Sequence, residues 1–531
     1  GVKVDLETFL HHLHFDTDKS APPDWQVDWE DAPLPYKLYR GLPEISLSGD
    51  VPLTLKGRDA HAKPALEELG HFLWYVYGLT HYAQTAFIKG TGDKAVVSYA
   101  QLLRRFVPSG GALYPNELYV YIKLEDVPEG IYHYDVAHHR LLLLREGNHD
   151  FYLSRSLGNS CDLSDCFCTV FVSTVFWKNF YKYNNFSYRL QGLDAGVLIG
   201  QAVEAANQMG FSSRVCYQFL DRSINHLLGL AEQDESVYAV IPLSTNQSIN
   251  CVFKDNNSDD IISDTELTQK VPVLIHETYN RSKRVIDYPL LRKMNEESLL
   301  ETTNSFVKIR NNDRIKSDFG MEAIMLPFTE HFSYDFASIC RERHSPDMDF
   351  MMRKVSQTHL STLLKETFSL SYQNDLNDTY GHAENHVTLY GSFYNVEGIP
   401  NGAYAYDKSA HALRRITQGD FRELLQYGLT MPTVNLFQVP LVLHLVGDKD
   451  HFKKELGYRG YRIQQMEAGI LLQRLLIVAI ALGMRGNPIL GFNANQSDEL
   501  YGIASKEKTS LIQVPVGPYR PRAWLKGSLL S

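Results

Sequence analysis

The sequence predicts an α+β protein made of two copies of one domain in a single chain, packed on each other as a pseudo-dimer. Three observations carry this. Gly130-Ile131-Tyr132-His133-Tyr134-Asp135 returns as Gly402-Ala403-Tyr404-Ala405-Tyr406-Asp407, an offset of 272 that His139/His411 and Gly147/Gly419 keep. Tyr188-Arg189-Leu190-Gln191-Gly192-Leu193-Asp194-Ala195-Gly196 returns as Tyr461-Arg462-Ile463-Gln464-Gln465-Met466-Glu467-Ala468-Gly469 at 273, and Ala206/Ala479, Gly210/Gly483, Phe219/Phe492, Gly229/Gly502 and Pro242/Pro515 hold that spacing. Each copy mixes strand-like alternation with helical runs and lacks the strict strand–helix alternation of a parallel sheet. A register kept over so long a stretch marks a duplicated unit.

A chain of 531 residues exceeds one core. The repeat divides it into an N-terminal helix and extended arm (1–60), a first copy (61–250), a linker region (251–320) holding the polar run Asn256-Asn257-Ser258-Asp259-Asp260, and a second copy (321–531). Hydrophobic content of 44% and charged content of 21% fit a globular enzyme. A net charge of −10 without a basic stripe excludes a nucleic-acid partner. The longest apolar run, Ile470 to Met484, is broken by Gln473 and Arg474 and reads as a buried helix, so no membrane partner is expected. The chain opens without a secretory pattern, and a cytoplasmic location is the expectation. Six cysteines make no disulfide framework, Cys161, Cys166 and Cys168 read as buried strand thiols, and His11, His12 and His14 read as a helix surface, so no metal site is expected.

In chain order, Leu6, Phe9, Leu10 and Leu13 give one short helix. Prolines 22, 23, 33, 35 and 43 then keep Ala21 to Leu53 extended, an arm that wraps another element. Leu66 to Tyr82 has helical periodicity, and Tyr99 to Phe106 leads into the loop Pro108-Ser109-Gly110-Gly111-Ala112-Leu113-Tyr114-Pro115-Asn116-Glu117. Its paired glycines let the backbone approach something flat or anionic, or simply make a tight turn before the strand Leu118 to Ile122. Each copy continues as a strand pair around the Tyr-x-Tyr-Asp turn, a helix, a strand, a long helix after Ala-Gly, and a closing strand, Leu511 to Val516 in the second copy.

Function is expected where the copies differ. Only the first has Pro-Ser-Gly-Gly; the second has Leu389-Tyr390-Gly391-Ser392-Phe393-Tyr394 before Gly402. Only the first has Lys182-Tyr183, against Glu455-Leu456; the pair moves protons if a dry site shifts it, and otherwise reads as solvated loop. Only the second has Arg341-Glu342-Arg343-His344-Ser345, ahead of a helix predicted from near Asp347, where guanidinium, hydroxyl and helix dipole would seat a phosphate. The tail Gly517-Pro518-Tyr519-Arg520-Pro521-Arg522 adds two cations.

These motifs resemble the nitroreductase superfamily of FMN flavoproteins, and more narrowly the SagB-type dehydrogenases that include the cyanobactin and microcin azoline oxidases. The arm is similar to theirs at Asp28-Trp29 and Pro35-Tyr36-Lys37-Leu38-Tyr39. The resemblance implies one FMN per chain at the interface of the copies. Arg343 and Ser345 match the phosphate-binding Arg-x-Ser, Arg520 and Arg522 the basic C-terminal pair, and Pro488-Ile489-Leu490-Gly491-Phe492 the segment whose amides approach the flavin. Pro108, Ser109, Gly110 and Gly111 match the loop laid along the flavin by the opposite subunit, and Lys182 and Tyr183 the catalytic pair. Pro346-Asp347-Met348 stands where a third basic residue is usual. The implied activity is FMN-dependent dehydrogenation of thiazoline or oxazoline rings in a small-molecule or peptide substrate. An NAD(P)H-dependent reductase of nitroaromatics or quinones is the second expectation, and a catalytically inactive flavin-fold binding protein the third. The superfamily's habit also implies that two such chains pair as a homodimer of pseudo-dimers.

Overall fold

In the computed structural model, residues 5–53, 55, 63–89, 92–94, 96–246, 260–309, 322–370, 372–377, 386–521 and 525–528 are described. At its centre two long helices, Ser187–Gln208 and Arg459–Ala481, cross in direct contact. The crossing is possible because Gly196 and Gly469, partners under the repeat, carry no side chain. A Cβ on Gly196 would overlap the Met466 carbonyl, and one on Gly469 the Leu193 carbonyl. Arg459–Ala481 is long and apolar enough to cross a membrane, yet it lies wholly inside the core, where Arg459 and Arg462 pair with Asp221 and Arg474 with Glu204. Both helices start well before Ala-Gly, at Ser187 and Arg459, so Ala-Gly marks the crossing point and not the helix start that the sequence pattern predicts.

The two copies repeat one sheet. In the first, strands lie in the order Glu44–Ser46, Arg140–Glu146, Gly130–Asp135, Asn116–Ile122, Cys166–Val175, Glu235–Ser244, Ser212–Val215. In the second the order is Ala323–Met325, Ala412–Gln418, Gly402–Asp407, Thr388–Phe393, Leu441–Asp448, Lys508–Gly517, Arg485–Gly486. The registers agree as well: Asn116 pairs with Thr174, and Thr388, 272 residues on, pairs with Val446. Gln373–Asn374, from the second half, adds a parallel edge strand to the first sheet at Arg214 and Val215. A third sheet joins His81–Lys89 and Val96–Arg104 to Leu525–Ser528. This is the duplicated α+β architecture expected.

The N-terminal helix Leu6–Phe15 packs on the second copy. Its three histidines do not all face out: His14 is buried, and its ring bonds the Thr509 hydroxyl at 2.8 Å. Burial holds it well below the usual histidine range. The arm then runs back along the first copy, where Trp25 meets Phe180 edge-on, Trp29 meets Tyr181, and the Lys37 ammonium reaches the buried Glu235 carboxylate at 2.6 Å. Leu66–Tyr77 is helical, stopping at Gly78. Residues 251–259, with most of the expected polar linker, lie outside the described residues. From 260 to 309 the chain lies against the first copy, with Ser223 donating to Asp264 and His276 bonding the Leu144 carbonyl.

Candidate functional site

A cavity of about 670 Å³ opens where the copies meet. It is within the roughly 300–1,000 Å³ of small-molecule clefts. The first copy contributes Pro108, Ser109, Gly110, Gly111, Tyr183 and Asp194; the second contributes Ser345, Asp347, and Pro488 to Gly491. Thr17, Ser20 and Ala21 of the arm close one side. The glycine loop, Tyr183, Ser345 and the Pro488 to Gly491 segment, singled out separately in the sequence, are therefore brought together, whereas Lys182, Arg343 and Arg520 are not in the cavity wall.

The glycine loop is shaped by what surrounds it. Gly111 has φ +64, and a Cβ there would overlap the Tyr183 hydroxyl and lie 2.9 Å from Lys182 Nζ. Only glycine lets the loop lie flat on that pair. Lys182 and Tyr183 form the last turn of the helix Phe176–Tyr183, which ends at Asn184 with φ +48. They are half-buried helix residues and not the solvated loop that the residues alone also allowed; the aromatic run Phe176, Trp177, Phe180, Tyr181 buries that turn against the arm and core. Burial pulls the Lys182 ammonium below its ordinary value. Burial, with the facing Asp194 carboxylate and Tyr181, pushes the Tyr183 phenol up to about 12. Lys182 is thus the easier of the two to deprotonate, and Tyr183 holds its proton.

On the opposite wall the Leu490 and Gly491 amides meet no acceptor among the described residues, while Ile489 exchanges both backbone hydrogen bonds with Gln513. The equivalent stretch of the first copy shows the contrast. Cys216 exchanges bonds with Val240 in the same way, but the following amides, of Tyr217 and Gln218, donate to the Asp375 carboxylate at 2.9 and 2.8 Å. One copy offers two free donors to a cavity, and the other has its donors taken by a side chain of the chain itself.

Arg343 does not line the cavity. It is buried just behind, donating from Nε to the Phe106 carbonyl, two residues before Pro108, and burial lowers it to about 10. It ties the second copy to the base of the first copy's loop. The helix expected from Asp347 is absent; Asp347–Asp349 is a single 3-10 turn, because Pro346 enters it and Asp347 has φ +54. No helix dipole therefore supports Ser345. Arg520 is exposed, with its amide donating to the Asp349 carbonyl beside that turn, and Arg522 lies outside the described residues. Sequence reasoning missed Asp194, Asp347 and the arm residues 17–21 as cavity wall. The signal for Asp194 was its carboxylate in a segment otherwise read only for its repeat.

Residues 61–243 match the Nitroreductase family. The Trifolitoxin-processing protein TfxB of Rhizobium leguminosarum bv. trifolii is 26% identical over 152 residues, 28% of this chain and 41% of that protein. The Microcin B17-processing protein McbC of Escherichia coli is 29% identical over 138 residues, 25% of this chain and 50% of that protein. The chain thus spans about half the length of these curated relatives, or less. A crystal structure of a candidate nitroreductase from Anabaena variabilis superposes over 97% of this chain and 99% of its own, with TM-score 0.72 at 21% identity, which speaks to the fold of both copies. Residues 61–243 are thus similar to the nitroreductase family, and the superposition extends that fold to both copies.

Proposed function

We propose that the chain is an FMN-dependent oxidoreductase that dehydrogenates azoline rings in a modified peptide. The observation that carries this is the shared cavity, in which Tyr183 and the glycine loop of one copy face the free amides of Leu490 and Gly491 in the other. Similarity to two proteins named for processing trifolitoxin and microcin B17 supports a peptide substrate.

The donor set fits a flavin. Leu490 and Gly491 offer amides to its ring edge, Gly110 and Gly111 leave room for a flat face, and Ser345 would hold the phosphate end. When bound, FMN supplies the hydride acceptor for the carbon adjacent to the one that loses a proton. Lys182 Nζ, eased toward its neutral form by burial, takes that proton; such a base is worth roughly 10²- to 10⁴-fold in rate. Tyr183 keeps its hydroxyl proton and donates a hydrogen bond to the ring heteroatom or the adjacent carbonyl. The arm residues Thr17, Ser20 and Ala21 shield the reacting atoms from water.

The test is direct. Purified protein should bind one FMN per chain, read from flavin absorbance, and a thiazoline peptide should lose two hydrogens per ring by mass spectrometry. Lys182→Ala should abolish that loss while keeping the flavin. Turnover of NADH with a nitroaromatic, together with no action on azolines, would instead favour the reductase reading.

A further inference from the structure

Asp194 is used by none of the roles above. It sits on the central helix Ser187–Gln208, its carboxylate in the cavity wall and only 7% of the residue exposed. It accepts a hydrogen bond from the Ser109 hydroxyl at 2.6 Å, and another from the Gly110 amide. Ser109 Oγ in turn accepts from the Tyr114 amide at 2.9 Å. One carboxylate thus grips both ends of the turn that lays Gly111 on Lys182 and Tyr183.

The second copy provides an internal control. Glu467, the repeat partner of Asp194, bonds the amide of His386 at 3.1 Å, and His386 is the repeat partner of Tyr114. The tie between this carboxylate and the amide entering the first long strand is kept in both halves. In the second it is direct, and the His386 ring stands 3.0 Å from the carboxylate as a potential countercharge. In the first it is threaded through Ser109, and no cation pairs with Asp194 among the described residues.

We propose that Asp194 is a positioning residue whose protonation state sets the tension of the glycine loop and, through Gly111, the placement of the Lys182-Tyr183 pair. Ionised, it accepts from both Ser109 and Gly110. Protonated, it loses the charge that strengthens both bonds, keeping only neutral hydrogen bonds to Ser109 and Gly110, and the loop slackens. Burial without a cationic partner raises its carboxyl to about 7, with the bonds from Ser109 and Gly110 opposing that rise. The titratable groups facing it are Tyr183 from the helix before it and Tyr77 from the helix Leu66–Tyr77, whose phenols are both pushed upward and stay neutral across that range. Burial and these neutral neighbours thus place the charge change of Asp194 near neutrality.

The consequence for turnover rests on the function proposed above; the loop's behaviour does not, and the experiment separates the two. In flavin-free protein, infrared difference spectra across pH 5–9 should show a protonated carboxyl disappearing near pH 7 in wild type and absent from Asp194→Asn. Hydrogen exchange of the Gly110 and Tyr114 amides should slow as that carboxyl ionises, and in Asp194→Asn should be faster and lose its inflection. Ser109→Ala, which leaves the carboxyl in place, should speed exchange at Tyr114 and move the infrared midpoint up, because a bond favouring the charged form is gone. Glu467→Gln should leave loop exchange unchanged. In the flavin-loaded protein, Asp194→Asn should lower kcat about 100-fold, the order expected for a 1 Å misplacement, with KM nearly kept and the neutral inflection of the pH profile abolished. An Asp194→Asn protein with wild-type loop exchange and an unchanged inflection would overturn the proposal. Failure of the protein to bind flavin would count against the function and leave the loop measurements standing.

Discussion

Replacing Gly111 with alanine tests the arrangement at its tightest point. Two costs arise, and they can be separated. The backbone cost comes from φ +64, which an L side chain occupies at about 1–2 kcal/mol. The contact cost comes from the new Cβ, which overlaps the Tyr183 hydroxyl and crowds Lys182 Nζ, so the pair must retreat by about 1 Å. The ends of both side chains can move, so the second cost should fall on chemistry more than on folding. Gly483 supplies the control: φ is +79, but a Cβ there meets nothing within 4 Å. Both variants should therefore lose a similar ~1–2 kcal/mol, read as the shift in the denaturant midpoint. Gly111→Ala alone should lose about 10²-fold in kcat, or ~2.7 kcal/mol of barrier. If the two variants are equally destabilised and turn over equally fast, the loop does not position the pair and the argument fails.

Three further outcomes follow from the same geometry. Gly196→Ala places a methyl group on the Met466 backbone, which cannot rotate away, so unfolding free energy should drop by about 3 kcal/mol or more; a drop under ~1 kcal/mol would mean the helices separate easily. Asp347 lines the cavity near Ser345, so Asp347→Asn should tighten FMN binding about 5-fold in a fluorescence titration, more at low salt than at high salt. Asp194 carries a stability signature opposite to that of a paired carboxylate. Its folded carboxyl titrates near 7 and its unfolded one near ~3.9, so both states are protonated below about pH 4 and the residue is then neutral in the balance. Between these values the unfolded chain has released the proton that the folded one retains, so stability falls as pH rises, and it stays lowered above 7. Urea midpoints of Asp194→Asn should therefore exceed wild type by more at pH 8 than at pH 5, and equal gaps at the two pH values would contradict the burial argument.

The duplication was legible because each repeat residue keeps its spacing: Gly130 and Gly402 open equivalent strands, and Asn116 and Thr388 begin equivalent pairings. The composite cavity was legible for the same reason, since features missing from one copy were present in the other. What could not be read were properties that exist only once the halves touch. Gly196 sits inside a helix because another backbone passes beside it, which no local pattern records. Arg343 was expected on an anion and is instead buried on the Phe106 carbonyl, a partner 237 residues away. Pro346 and the left-handed Asp347 replace an expected helix with one tight turn. Asp194 looked like one more polar residue in a repeated helix, and its role came from Ser109, which belongs to a different element.

Asp375 shows what fusion permits. In a symmetric homodimer every substitution is made twice, so a side chain that stoppers one cleft stoppers its twin and the protein is lost. Here the carboxylate that satisfies the Tyr217 and Gln218 amides has no counterpart obliged to invade the cleft at Leu490 and Gly491. The first copy's own cleft is free to trade ligand affinity for rigidity while its glycine loop and Tyr183 still wall the cavity at Leu490 and Gly491.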